Sequence, residues 1–211
     1  VIPSPSRRAP LRHGAARVAA LVLVAGLALA GCTSPSSDLV DDYNAGDAGG
    51  DYISGDGAVT TIAPENRGAP VDFGGDTDTG DVISSDDLRG RVVVVNFWYA
   101  ACPPCRVEAP DLERLHQTFL DDEVSFVGVN VSDQADTART FAEQHGVTYP
   151  SILDVADNSV LLAFAGQVSA NAVPTTLVID REGRVAARFS GIISSPSLVE
   201  QIVDETLAED S

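Results

Sequence analysis

Lysine and methionine are absent from the 211 residues, and cysteine appears three times. Without lysine there is neither a Schiff-base amine nor the lysine of a phosphate-binding P-loop, so chemistry built on either is excluded. Positive charge is scarce as well: 13 basic residues face 31 acids, for a formal charge of −18 at pH 7. Four of the arginines (Arg7, Arg8, Arg12, Arg17) fall in the first 31 residues, where there is no Asp or Glu, so the remainder carries nine arginines and −22. A body of that charge repels nucleic-acid phosphates and anionic headgroups, which argues against polyanionic partners. A tetrahedral structural zinc lacks its ligands, because there is no second cysteine pair and His116 and His145 fall on different predicted elements. The length suits one ordinary domain with extensions.

What is present begins with an export leader over residues 1–31. Arginines lead, the apolar run VAALVLVAGLALA follows from Val18 to Ala30, and small residues close it. The run is too short for the ~18 to 20 residues of a spanning helix. Leu29-Ala30-Gly31-Cys32 resembles the lipobox of bacterial lipoproteins, which implies cleavage before Cys32 and a lipid on its sulfur. Ser6-Arg7-Arg8 resembles the start of a twin-arginine export motif, from which Pro10 departs, and the general secretory route stays open beside it. With Cys32 assigned to lipid, two cysteines remain, so the exported body is no disulfide-stapled scaffold. Residues 32–67 are rich in Ser, Asp, Gly and Asn and read as a flexible acidic tether. The folded domain is expected over 68–211.

Within that domain strands and helices alternate. Arg91–Trp98 is a continuous β-branched and aromatic run, the pattern of a central strand buried on both faces. The spacing predicts a helix over Cys105–Phe119, kinked at Pro110. A second buried strand is expected over Val124–Val131, then helices over Asp136–His145 and Ser159–Ala165. Thr175–Asp180 and Val185–Ser190 read as a hairpin. Ser195 is expected to cap a last helix that has Pro196 in its first position. This order is α/β with mixed strand directions.

The segment FWYAACPPCRV, Phe97 to Val107, carries the chemistry. A covalent haem site needs His directly after the second cysteine, and that residue is Arg106. A strand ending at Trp98 and a helix starting near Cys102 place Cys102 at a helix N-terminus, where free N–H groups favour thiolate. Cys102 is therefore the expected nucleophile. Cys105, one turn on, is placed to resolve a mixed disulfide and is expected to be the more buried of the two. Pro103 and Pro104 suit a first helical turn but remove two N–H groups from it, two effects of opposite sign. Some seventy residues later, Val173-Pro174 precedes a predicted strand and becomes a candidate cis-proline loop.

Asn96–Pro110, with its Cys-Pro-Pro-Cys core, resembles the active-site segment of the TlpA/ResA branch of the thioredoxin superfamily. Val173–Asp180 is similar to that branch's cis-proline segment, and Arg181–Val185 to its hairpin turn. The match spans residues 68–208. The resemblance implies a thioredoxin-like α/β fold with a central mixed sheet of four or five strands flanked by helices. It also implies Pro174 cis beside Cys102, and a substrate face formed by Trp98, Pro103, Pro104, Val173 and Pro174. Asn96 stands where ordinary thioredoxins have a buried acid. Glu108 matches the acid of the ResA-like branch and is the candidate proton-handling group, against the alternative of a solvated first-turn carboxylate. Ala101 departs from the aromatic residue common before the first cysteine.

The expected activity is thiol-disulfide exchange without a cofactor other than the Cys102–Cys105 pair. The leading reading is a disulfide reductase on the outer face of the cytoplasmic membrane, anchored through lipid on Cys32. The resemblance implies apocytochrome c or another exported protein as substrate and a membrane dithiol carrier of the CcdA/DsbD kind as electron donor. An exported oxidase or isomerase is the alternative within the same chemistry. A thioredoxin-fold peroxidase is a weaker one, since such enzymes usually carry a lone peroxidatic cysteine in place of a dithiol.

Overall fold

An uninterrupted β-branched and aromatic run is a strand only where both of its faces are covered, and both are covered here. The computed structural model describes residues 58–168 and 172–209. In chain order the elements are β1 (Ala58–Thr61), a 3-10 turn (Pro64–Asn66), β2 (Gly74–Asp76), β3 (Val82–Ser84), a second 3-10 turn (Ser85–Leu88), β4 (Val92–Trp98), α1 (Pro103–Thr118), β5 (Val124–Asn130), α2 (Ala135–His145), β6 (Ser151–Leu153), α3 (Ser159–Ala163), β7 (Thr175–Ile179), β8 (Val185–Ser190) and α4 (Pro196–Ala208).

The sheet order is β1-β8-β7-β4-β5-β6, with β2 and β3 forming a separate hairpin. Strands β4, β5 and β6 are parallel, and β7, β8 and β1 continue the sheet antiparallel on the other side of β4. All seven residues of β4 are buried. Period-two alternation divides them: Val92 and Val94 join Leu112, Leu115, Val199 and Val203 in one core, and Val93, Val95 and Phe97 join Phe164, Val129 and Leu177 in the other. Asn96 and Trp98 share the parity of Val92 and Val94, so they face α1. The result is a thioredoxin-like α/β fold with a central mixed sheet flanked by helices.

The sheet has six strands where four or five were expected. Its outermost strand, β1, lies in the stretch read as tether: Ala58 pairs with Ser190 and Thr61 with Ala187. The folded region therefore begins by Ala58, ten residues before the expected boundary at 68. Arg67, its side chain 3% exposed, fixes this stretch by pairing with Asp180 at 3.0 Å and with Glu209 at 2.5 Å. It also donates from Nε to the Ile62 carbonyl at 3.1 Å. The four residues of β1 contain a single large apolar side chain, Val59, too little for a periodic signal.

Helix α1 continues on both sides of Pro110, from Pro103 to Thr118. Pro110 and Arg106 are both exposed, so the carbonyl deprived of a donor lies on the water side. Ser195 occupies the N-cap of α4 but makes no side-chain cap bond, because its hydroxyl faces that of Ser197 at 3.1 Å.

Candidate active site

Strand β4 ends at Trp98, and three residues later the chain turns into α1. Cys102 is the N-cap of α1, with extended backbone, and Pro103 and Pro104 supply the fixed φ of the first turn. Cys102 and Cys105 are joined in a disulfide, with Cα atoms 5.3 Å apart. The Cys105 N–H donates to Cys102 Sγ at 3.3 Å. The expected difference in burial is absent: Cys102 is 1% and Cys105 2% exposed, because closing the disulfide holds both sulfurs under the same cover.

The loop before the pair is clamped from two sides. The Ala100 N–H donates to the Asp133 carboxylate at 2.6 Å, and Arg106 Nε donates to the Ala100 carbonyl at 2.7 Å. Asp133 is itself held at the end of β5, where Asn130 Nδ2 donates to it at 3.0 Å and Asn130 Oδ1 accepts from its N–H at 2.7 Å. Across the site the Val173–Pro174 peptide is cis, and the Val173 carbonyl oxygen lies 4.0 Å from Cys102 Sγ. The Pro174 carbonyl accepts from Gly191 N–H at 2.9 Å, which ties the loop after β8 to this edge.

One turn along α1 from Cys105 lies Glu108, 1% exposed, so the alternative of a solvated first-turn carboxylate is excluded. Its Oε1 accepts from Asn96 Nδ2 at 2.9 Å and its Oε2 from Ile193 N–H at 3.1 Å. Asn96 Nδ2 also donates to Thr176 Oγ1 at 3.0 Å. Burial raises the Glu108 carboxyl to a pKa of about 7, against the two donors, which favour the ionised form. A cavity of about 10 Å³ under Cys105 is bounded by Asn96, Trp98, Tyr149 and Ser151. Asn96 thus borders the space below Cys105 and, through its amide, binds the carboxylate. Burial pushes the Tyr149 hydroxyl well up, with Glu108 adding to it, so this wall stays neutral.

Trp98 does not lie on the substrate face assigned to it. It is 4% exposed, stacked on Phe141 with ring centroids 4.3 Å apart, and its Nε1–H donates to Ser151 Oγ at 3.1 Å. Its parity on β4 turns it inward, under the dithiol. Pro103 is exposed, Pro104 and Val173 are half-buried, and Pro174 is buried; Pro103 and Pro104 lie between the two cysteines, and the Val173 carbonyl lies near Cys102 Sγ. Cys32 lies outside the described residues. Asp133, Thr176, Ser151 and the Ile193 amide escape sequence reading. Only Asn130-Val131-Ser132-Asp133 carries a signal, an Asx-type turn directly after a strand.

Comparison with known proteins matches this chain to the Redoxin family model over residues 63–203. The chain belongs to that family. It is 32% identical to the thiol-disulfide oxidoreductase ResA of Bacillus subtilis over 153 residues, which cover 72% of this chain and 76% of the relative. To ResA of Halalkalibacterium halodurans it is 29% identical over 60% of this chain and 66% of that protein's length. Among solved structures, a DsbF homologue from Corynebacterium diphtheriae superposes with TM-score 0.64 at 31% identity, covering 75% of this chain and 99% of that one. With the Cys102–Cys105 disulfide in place, this member of the family is a CxxC-bearing thiol-disulfide oxidoreductase of the ResA/DsbE-like kind. Among the described residues no group of three His, Cys, Asp or Glu is placed to hold a metal, and no helix is long and apolar enough to cross a membrane.

Proposed function

We propose that the protein is a disulfide reductase of exported proteins, held at the outer face of the cytoplasmic membrane by lipid on Cys32. The observation that carries the direction is the donor set at Cys102 Sγ. Pro103 and Pro104 have no N–H, and the Cys105 amide is the backbone donor to this sulfur. With two first-turn donors withdrawn, a Cys102 thiolate is stabilised less than at a fully donating helix N-terminus, and the pair gives up its electrons more readily.

In the reaction, the Cys102 thiolate attacks one sulfur of the substrate disulfide, forming a mixed disulfide and releasing the other sulfur as a thiolate that takes a proton. Glu108 accepts the proton that Cys105 must lose. The Cys105 thiolate then attacks Cys102 Sγ, closing the Cys102–Cys105 disulfide and releasing the second substrate thiol. Two electrons pass to the substrate. The pair is recharged by a membrane dithiol donor of the CcdA/DsbD kind. The backbone of Val173, before Pro174, is the edge on which an extended substrate segment pairs, and oxidised apocytochrome c is the substrate that the likeness to ResA favours.

Trapping tests this reading. Cys105→Ser leaves the attacking sulfur but removes the resolving one, so mixed disulfides through Cys102 should accumulate on exported proteins. Their absence in Cys105→Ser cells, with Cys102 found free, contradicts it. A second reading, an exported isomerase, is favoured by the likeness to a secreted thiol-disulfide isomerase from Corynebacterium glutamicum (TM-score 0.63, 31% identity, 74% of this chain and 98% of that one).

A further inference from the structure

Next to the Ala100 loop that precedes the dithiol, between the first turn of α1 and α2, the surface opens into a cleft of about 350 Å³. Phe141 and Ala100 line it with apolar surface, Thr137, Thr140 and Gln144 supply polar groups, and the wall also holds one carboxylate, Asp136, which is paired with Arg139. Arg106, directly after Cys105, provides the cation. Its Nε is committed to the Ala100 carbonyl, which leaves Nη1 and Nη2 as a pair of parallel donors with no partner among the described residues.

That is unusual in this chain. Of the other arginines in the described residues, Arg67, Arg89, Arg114, Arg139, Arg181 and Arg184 are each paired with a carboxylate. Arg91 is occupied by Ser125 and two carbonyls, and Arg188 by Thr60 and the Gln167 carbonyl. The acids nearest the cleft are already engaged: Asp136 with Arg139, Asp133 with Ala100 and Asn130. In a body with a large excess of acid, an exposed and unpaired guanidinium next to the reactive pair is a positive point in a negative field. It selects for an anion that is delivered to that place by other contacts.

We propose that this cleft takes an acidic side chain of the protein whose disulfide is exchanged, its carboxylate bridging Nη1 and Nη2 of Arg106 while the neighbouring cysteine sulfur lies over Cys102. The inference rests on the reading that the dithiol meets a protein disulfide, and it makes Arg106 a specificity-determining residue.

The probe is a peptide closed by an internal disulfide and flanked on both sides by Glu, with matched peptides carrying Gln or Lys. Protein and peptide are both oxidised, so binding is read without exchange, from chemical-shift changes of Arg106 Nε and the Ala100, Thr137 and Thr140 amides. The Glu peptide should bind about fivefold more tightly than its Gln twin, the range of a partly exposed ion pair. Arg106→Gln should erase the preference, and Arg106→Glu should transfer it to the Lys peptide. A purely structural role for Arg106 in holding Ala100 would weaken all three peptides without reversing their order, and that result overturns the proposal. So does equal binding of Glu and Gln peptides to the natural protein. Selective binding without any reduction of the peptide by the reduced protein contradicts the reductase reading and upholds this one.

Discussion

Glu108 is held between an amide donor on β4 and a backbone donor after β8, yet burial dominates and its carboxyl titrates at about 7 rather than near 4.5. A raised folded-state pKa means that the folded protein binds this proton more tightly than the unfolded chain. The corresponding stability is complete below about 4.5 and is lost as pH rises through about 7. Glu108→Gln should remove that dependence. Between pH 5 and 8 the advantage of the natural protein over the variant should fall by about 2.5 kcal/mol, measured by urea unfolding. If Glu108 handles the Cys105 proton, the exchange rate should also lose an inflection near pH 7 in the variant, and an unchanged profile rejects the role. Gly128 is a second residue whose identity is dictated by its neighbours. A Cβ there would lie 2.1 Å from Ser151 Oγ and 2.8 Å from Trp98 Nε1, across their hydrogen bond. Gly128→Ala should cost about 1 to 3 kcal/mol and shift the emission of Trp98, the chain's one tryptophan. An unaltered urea midpoint and spectrum would show that the support under the dithiol is looser than described.

At the scale of elements, β1 and the Arg67 clasp decide where the domain starts. A chain beginning at Gly68 loses β1, its ladder to β8 and the cation that meets Asp180 and Glu209. It should unfold at lower urea than one beginning at residue 57, and Arg67→Ala in the longer chain should reproduce about 1 to 3 kcal/mol of the loss. Equal midpoints would return β1 to the tether. Legibility in the sequence follows the same physics. Strand β4 is readable because seven consecutive residues are buried on both faces, and α1, α2 and α4 because their apolar residues recur at helical spacing. Strands β1, β2, β3 and β6 have three or four residues each, too short for a periodic signal, and β1 is held by pairing to β8 more than a hundred residues along the chain, which no local pattern records. In the site, Cys102, Cys105 and Val173-Pro174 are recognisable as motifs. The contacts of Asn96 with Thr176 and of Glu108 with Ile193 join residues 80 and 85 positions apart and exist only once the sheet is assembled.

Taken whole, the molecule brings the C-terminal end of β4, the start of β7 and the loop after β8 to one pole, with helix-covered cores on both faces of the sheet behind them. The disulfide, the clamped Ala100 loop, the buried acid and the unpaired Arg106 all lie at that pole, on a body whose charge keeps polyanions away. The direction of electron flow depends on how far the reduced pair is stabilised there, so it is a property of the assembled site. The most direct test is the reduction potential of the Cys102–Cys105 couple, measured by equilibration with glutathione buffers. The donor-poor environment of Cys102 predicts a value closer to thioredoxin's, about −270 mV, than to that of strong oxidants. A value near about −120 mV would contradict the reductase account and make the protein a donor of disulfides.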